Sequence, residues 1–193
     1  MTPIGPQELI LIRHAPSEAG GRLAGRRDVP ACLTDIAAFE RLGAVLHGVT
    51  SIVTSPALRC RQTAEALCPG RRRSEDARLW EQDFGVYEGL LPSEIPDIGP
   101  LNRPKLAQTA PPMGESFEDM LARVTPALTE FSATAMIEGP IAVIAHAGTV
   151  RAALALALED GPTALAFEIA PLSITRLRCL PGTYSIICVN VTF

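Results

Sequence analysis

The chain has 193 residues, 47% hydrophobic and 20% charged, so it is long enough for one sizeable domain and too short for two full ones. Its formal net charge of −4 gives no general attraction to nucleic acid or to an anionic membrane, and we expect neither as a partner. The five cysteines include no C-x-x-C pair, which argues against a disulfide framework and a zinc site. Reduced thiols, together with a first stretch that lacks the features of a signal peptide, predict a cytoplasmic protein.

Strands alternate with helices along the chain, which predicts a three-layer α/β/α sandwich around a mostly parallel central sheet. The first strand, Glu8–Arg13, is apolar on both faces, as in a sheet that helices cover on both sides. Two more strands are predicted at Ser51–Thr54 and Ile141–Ala145. Residues 173–180 and 184–191 predict a hairpin that turns at 181–183.

Four helices are predicted between these strands, at 34–46, 55–67, 116–131 and 149–158. The second helix has Pro56 in its first turn, a position that suits proline. The third begins with a capping box made by Ser116 and Asp119, and Pro126 inside it can introduce a kink. Residues 88–112 contain six prolines, so we expect an irregular segment there that either covers the site or flanks it.

Reactive side chains stand where predicted strands end and helices begin. Arg13 and His14 end the first strand, Arg59 lies in the first turn of the second helix, and His146 follows Ile141–Ala145. The carboxyl ends of parallel strands meet at one edge of a sheet, where open α/β folds bind ligands, so these side chains are expected to converge.

Two arginines, two histidines and a carboxylate are a set suited to phosphate-monoester chemistry. Arginine matches phosphate oxygens bidentately and stays charged at every working pH. A histidine kept neutral by neighbouring cations can attack phosphorus, and a carboxylic acid can protonate the leaving oxygen. The segment 79–89, which contains Glu81, Asp83 and Glu88, supplies the candidate carboxylate.

Five motifs in order resemble the histidine phosphatase superfamily, in its phosphoglycerate mutase-like branch. They are Ile12-Arg13-His14-Ala15, the helix start at 55–64, the E-x-x-x-G-x-x-E-G stretch at 81–89, Gly114-Glu115-Ser116, and His146-Ala147-Gly148. The resemblance covers nearly the whole chain and implies a single phosphoglycerate mutase-like domain over residues 1–193.

The resemblance also implies a role for each site residue, with no metal and no other cofactor. His14 would be the nucleophile that forms a phosphohistidine, and Glu81 the acid that protonates the leaving group and then the base that activates water. The phosphoryl group would be bound by Arg13, Ser17, Arg59 and His146. Two departures stand beside these matches: Ala15 replaces the usual Gly, and Gly20 replaces a common Asn phosphate ligand.

The reaction expected from the resemblance is hydrolysis of a small-molecule phosphate ester. The segment 23–30 is similar to a stretch of the family's α-ribazole phosphatases, which makes α-ribazole 5′-phosphate a candidate substrate. The mutases of the family are longer, and Gly20 removes one of their ligands, so a mutase-type phosphotransferase is less favoured. Two other functions stay open, a phosphoprotein phosphatase and a non-catalytic binding module on the same fold. Assembly as a homodimer also stays open.

Overall fold

One six-stranded sheet forms the centre of the molecule in a computed structural model that describes residues 2–193. Met1, where the predicted domain begins, lies outside the described residues. The strands are β1 Glu8–Arg13, β2 Ser51–Thr54, β3 Ser74–Glu75, β4 Ile141–Ala145, β5 Ile174–Leu180 and β6 Thr183–Val191. Their order is β3-β2-β4-β1-β5-β6, and β5 is antiparallel to both of its neighbours, so it alone points against the other five strands. The prediction of a mostly parallel sheet is therefore confirmed.

Six α-helices accompany the sheet. They are α1 Ile36–Val45, α2 Leu58–Leu67, α3 Arg103–Gln108, α4 Phe117–Glu138, α5 Ala147–Leu158 and α6 Gly161–Ala164. Short 3-10 turns occur at Leu46–Gly48, Ala77–Leu79, Gly85–Tyr87 and Pro92–Glu94.

The alternation of side chains along β1 builds two cores, one on each face of the sheet. Leu9 and Leu11 pack in one cluster with apolar residues of α4 and α5, while Ile10 and Ile12 pack in the other with residues of α1 and α2. All four are fully buried. Helices thus cover both faces, and the predicted α/β/α sandwich is confirmed.

A buried ion pair fixes the amino-terminal half of β1. Arg176 on β5 donates to the Glu8 carboxylate at 2.8 and 3.1 Å, and each side chain is only 1% exposed. The same guanidinium donates to the carbonyl groups of Thr2 and Pro3. The strand that ends in Arg13 is therefore anchored at its opposite end.

The second helix begins later than predicted, at Leu58, so Pro56 precedes it and does not lie in its first turn. Its first amide is held from outside, because the Asp28 carboxylate accepts the Leu58 N–H at 2.6 Å. Because this capping residue lies thirty residues earlier in the chain, the local sequence around the helix start does not reveal it. The helix after β4 also differs, since it begins at Ala147 rather than at 149.

The helix α4 confirms the predicted capping box of Ser116 and Asp119 but runs well beyond 131, to Glu138. It continues through Pro126. Gly139, the residue that follows its last turn, has a φ of +107°, which suits glycine. The proline-rich segment 88–112 holds one short helix, α3, which Asn102 caps and Pro104 enters in its first turn. The rest of that segment is loops and a 3-10 turn, as expected.

Candidate active site

Three neighbouring strands bring the predicted residues to one edge of the sheet. In the order β2-β4-β1, the strands end just before Ser55, His146 and His14, respectively. The His14 N–H donates to the carbonyl of Ala145, the last residue of β4, at 2.9 Å. The rings of His14 and His146 face each other edge to face with centroids 5.2 Å apart. The predicted convergence is present in the structure.

Arg59 lies between the two histidines and is only 1% exposed. Its Nε donates to His14 Nε2 at 3.3 Å, and its Nη2 donates to His146 Nδ1 at 3.2 Å. Nη2 also donates to the carbonyl of Gly25 at 2.7 Å, and Nη1 donates to the carbonyl of Arg27 at 2.9 Å. One buried cation therefore joins both histidines to the loop that follows the first strand.

The protonation state of His14 follows from its surroundings. Nδ1 lies 2.6 Å from the Ala15 carbonyl, which can only accept, so Nδ1 carries the hydrogen and Nε2 keeps its lone pair. Burial lowers the pKa of His14 to about 3, and the cations Arg59 and Arg13 add to that effect. His14 is neutral at pH 7, and its unprotonated Nε2 accepts a hydrogen bond from Arg59.

His146 lies behind Arg59, fully buried, as the residue that precedes α5. Its Nε2 is 2.9 Å from the Ser55 hydroxyl, and its Nδ1 accepts from Arg59, so Nε2 carries the hydrogen. Burial lowers its pKa well below the usual value, and Arg59 lowers it further. His146 contacts Arg59 rather than the cavity, and its role as a direct phosphate ligand stays a prediction.

Glu81 follows the 3-10 turn Ala77–Leu79, and its carboxylate accepts the Gln82 N–H at 3.0 Å. One carboxylate oxygen lies so close to Gly148, in the first turn of α5, that a Cβ there would overlap it. The backbone carbonyl of Glu81 accepts from Arg26 at 3.1 Å and from Arg123 at 3.3 Å. Contacts from three separate parts of the chain thus fix the candidate acid.

Glu115, from the G-E-S motif, ties those two arginines together. Arg123 donates to its carboxylate at 2.7 and 2.8 Å, and Arg26 donates at 3.2 Å. Arg26 also lies over the ring of Trp80, with its guanidinium carbon 5.9 Å from the ring centroid. Trp80 stacks on His146 with centroids 6.4 Å apart and planes at 10°.

The segment that follows the nucleophile is held in place by residues 88–94. The Glu88 carboxylate accepts the N–H groups of Arg26 at 2.6 Å and Arg27 at 2.8 Å. Leu23 exchanges two backbone hydrogen bonds with this strap, donating to Leu90 and accepting from Gly89. Glu88 therefore acts as a cap for the loop, and the proline-rich segment begins by closing one wall of the site.

A cavity of about 380 Å³ opens at this edge of the sheet. Five of the predicted site residues line it, namely Arg13, His14, Ser17, Arg59 and Glu81. The Nε of Arg13 is buried without a hydrogen-bond partner among residues 2–193. A larger, apolar cavity of about 510 Å³ between α1 and α2 includes His47 and none of these residues.

Arg151 lines the cavity, although the sequence did not predict it as a site residue. It lies on α5, and the helical pattern at 149–158 placed it only in a buried helix. Its position one turn into the helix that follows His146 is the signal that could have identified it. Arg22 also lines the cavity, from the loop after the nucleophile.

Residues 2–193 hold no cluster of three or more His, Cys, Asp or Glu side chains arranged for a metal ion. Their helices include none with the length and apolar character needed to cross a membrane.

A neutral histidine at a strand end, two arginines beside it and a carboxyl group in the same cavity are the groups that phosphoryl chemistry on an α/β fold needs. The model of the histidine phosphatase superfamily, branch 1, matches residues 9–192, and the chain belongs to that family.

Several known proteins are similar to this chain. A bifunctional protein of Mycobacterium tuberculosis is 31% identical over 97% of the chain and 54% of its own length. The chain thus spans about half the length of the curated relatives that it matches. A mycobacterial glucosyl-3-phosphoglycerate phosphatase, solved with vanadate, has a TM-score of 0.83 and 26% identity over 96% of this chain and 100% of its own. A proposed α-ribazole-5′-phosphate phosphatase of Escherichia coli has a TM-score of 0.80 over 97% of each chain, and at 20% identity it supports the fold alone.

The buried neutral histidines make the stability of the fold depend on pH. Unfolded His14 takes up a proton near pH 6.5, whereas folded His14 stays neutral down to about pH 3, so the unfolded state binds more protons as the pH falls. We expect the free energy of unfolding to drop by about 2 kcal/mol between pH 6.5 and 5 from His14, with His146 acting in the same direction.

Urea titrations at pH 7, 6 and 5 measure this effect. His14→Gln should reduce the pH dependence, whereas His47→Gln, at an exposed turn, should leave it unchanged. If the free energy of unfolding depends on pH equally in the wild type and in His14→Gln, the neutral, buried state of His14 is contradicted.

Proposed function

We propose that the chain is a phosphomonoesterase that hydrolyses a small phosphorylated metabolite through a phosphohistidine. The observation that carries the proposal is the state of His14, whose unprotonated Nε2 lies beside Arg59 in a cavity that Glu81 also lines. Family membership and the likeness to a mycobacterial phosphatase support the same reaction.

In the first step His14 Nε2 attacks phosphorus. The N–P bond forms as the ester P–O bond breaks, and the leaving oxygen takes a proton from the Glu81 carboxyl group. Arg13 and Arg59 stabilise the negative charge on the phosphoryl oxygens. Arg13 lines the cavity, and its buried Nε has no hydrogen-bond partner among residues 2–193.

In the second step the Glu81 carboxylate takes a proton from water, and the water oxygen attacks phosphorus as the N–P bond breaks. Inorganic phosphate leaves, His14 returns to its neutral state, and Glu81 is again protonated for the next cycle. The Nδ1–H of His14 remains on the Ala15 carbonyl in both steps, which keeps the ring oriented. His146 contributes by holding Arg59 and, as the sequence predicts, by contacting the phosphoryl group once substrate is bound.

The specific substrate that we propose first is α-ribazole 5′-phosphate, on the similarity of segment 23–30 to that branch of the family. Leu23, Ala24 and Gly25 of this segment line the cavity, so they are placed to contact a leaving group. The mutase, phosphoprotein and non-catalytic alternatives have no observation of their own in this structure to favour them.

We also propose a cytoplasmic location and a single domain over residues 1–193. All five cysteines are free, which suits a reducing compartment. The family match extends over residues 9–192, which supports one unit. A homodimer remains a proposal that light scattering of the purified chain would test.

Removal of the His14 side chain tests its assignment as the nucleophile. His14→Ala should lower kcat for p-nitrophenyl phosphate by at least about a thousandfold, because no other side chain in the cavity offers a free imidazole. His47→Ala is the matched control and should keep wild-type rates. Equal rates for His14→Ala and the wild type would exclude the phosphohistidine mechanism, as would failure to trap an acid-labile phosphoenzyme after a rapid quench.

A substitution at Gly148 tests whether the reaction depends on the position of Glu81. Gly148→Ala introduces a methyl group that meets the Glu81 carboxylate and the end of Met120. Both are flexible side-chain ends that can shift, so we expect kcat to fall at least about tenfold while Tm changes little. Gly48→Ala, whose Cβ would meet only Ile4 at 4.0 Å, is the control. Unchanged kcat in Gly148→Ala would mean that the position of Glu81 does not limit the reaction.

A comparison of two phosphate esters tests the proposed substrate. The kcat/KM for α-ribazole 5′-phosphate should exceed that for p-nitrophenyl phosphate by at least about tenfold if segment 23–30 recognises its leaving group. A protein that cleaves p-nitrophenyl phosphate well and leaves α-ribazole 5′-phosphate intact would contradict this assignment and keep the phosphatase reaction itself.

A further inference from the structure

Two hydroxyl groups of the motif at residues 55–64 have no role in the reaction described above. The motif supplies Arg59 to the cavity, whereas Ser55 and Thr63 are both fully buried and neither of them lines it. Each hydroxyl nevertheless makes a hydrogen bond at one of the two site histidines or at its neighbouring peptide. Both are therefore placed to act on the site without touching a substrate.

Thr63 connects the residue after the nucleophile to helix α2. Its hydroxyl oxygen accepts the N–H of Ala15 at 3.0 Å, and its hydroxyl donates to the carbonyl of Arg59, one turn earlier in α2, at 2.7 Å. A hydroxyl is a donor and an acceptor at once, so one side chain can make both bonds. A single oxygen atom therefore links the peptide next to His14 to the backbone of Arg59.

The position of Ala15 matters because its carbonyl orients the His14 ring. That carbonyl accepts from Nδ1 at 2.6 Å, which leaves the lone pair on Nε2. Nε2 lies 3.3 Å from Nε of Arg59, so a shift of either backbone changes the contact between the nucleophile and the cation. A displacement of about 1 Å can lower a rate about a hundredfold, so the link through Thr63 has a direct bearing on catalysis.

Ser55 contacts the second histidine directly. Its hydroxyl oxygen accepts Nε2–H of His146 at 2.9 Å and the N–H of Ala57 at 3.3 Å. The Cys60 sulfur, 3.6 Å from the same ring nitrogen, is a much weaker acceptor. With its hydrogen on Nε2, His146 presents the Nδ1 lone pair to Arg59, whereas the other tautomer would oppose two N–H groups.

We propose that Thr63 and Ser55 are positioning residues that select opposite tautomers of the two site histidines. Thr63, through the peptide that follows the nucleophile, keeps the hydrogen of His14 on Nδ1. Ser55 keeps the hydrogen of His146 on Nε2. Both rings then turn a lone pair towards the guanidinium of Arg59, which can only donate. The proposal rests on the phosphatase function and deepens it by naming the groups that prepare the site before an ester binds.

Nitrogen-15 NMR of ring-labelled histidine tests the tautomers without any substrate. The chain has only three histidines, so His14→Gln and His47→Gln assign every signal. At pH 7 the wild type should show His14 protonated on Nδ1 alone and His146 protonated on Nε2 alone. Either histidine in the opposite tautomer would overturn the proposal, and this result does not depend on whether the protein hydrolyses an ester.

Removal of each hydroxyl then assigns each tautomer to its positioning residue. Ser55→Ala leaves Nε2–H of His146 without its acceptor and should change the tautomer signals of His146 while those of His14 stay as in the wild type. Thr63→Val keeps the shape of the side chain without the hydroxyl and should reduce the Nδ1–H form of His14 alone. Each variant is thus the control for the other, and unchanged signals in both would contradict the assignment.

Kinetics with p-nitrophenyl phosphate separate positioning from a merely structural role. Thr63→Val should lower kcat at least about tenfold and change KM less than about threefold, because His14 performs the chemical step. Ser55→Ala should lower kcat/KM at least about tenfold through Arg59. Thr63→Ser keeps the hydroxyl and should stay within about threefold of the wild-type kcat.

Ser132→Ala is the matched control for the loss of a buried hydroxyl. Ser132 is also buried and donates to the carbonyl four residues earlier, that of Leu128, at 2.7 Å, so its removal should lower Tm and keep kcat. If Thr63→Val does not fold, Thr63→Ala takes the same measurements. Wild-type rates in the hydroxyl-free variants, equal losses in Thr63→Val and Thr63→Ser, or a similar loss in Ser132→Ala would overturn the proposal. If no ester is hydrolysed, the phosphatase function fails and the NMR signals alone decide the tautomers.

Discussion

A buried guanidinium that must be fully hydrogen-bonded organises this edge of the sheet. A cation with 1% exposure is tolerated only when its donors are paired, and the partners of Arg59 come from three separate parts of the chain: His14 after β1, His146 after β4, and the carbonyl groups of the loop between β1 and α1. Burial lowers the pKa of both imidazoles, and Arg59, which keeps its charge at every working pH, lowers both further. The contacts that place the candidate nucleophile therefore also contribute to its chemical state.

The sequence predicted those parts of the molecule that depend on local pattern. Apolar runs located β1, β2 and β4 to the residue, and the strand ends pointed to Arg13, His14 and His146. The two-residue strand β3 was missed because both of its residues are polar and exposed, so pairing with β2 alone defines it. The start of α2 depends on the distant Asp28, and the burial of His146 behind Arg59 depends on how three strands meet. Such contacts between separate segments have no periodic signature.

Specificity on this fold lies in the segments that wall the cavity. The loop after the nucleophile and the strap at 88–94 are joined by backbone hydrogen bonds and by the Glu88 carboxylate, so they form one wall. The opposite side is helix α5, which carries Arg151. Both walls contribute to the cavity lining, the first with Leu23, Ala24 and Gly25 and the second with Arg151.

Trp80 gives the molecule a built-in optical reporter. It is the single tryptophan of the chain, stacked on His146 and covered by Arg26, which also holds the Glu81 backbone. Indole emission is sensitive to nearby charge and to the polarity of its surroundings, so its intensity follows the electrostatic state of these two neighbours. Because the chain has one tryptophan, its emission reports on this region alone, directly behind the residues that line the cavity.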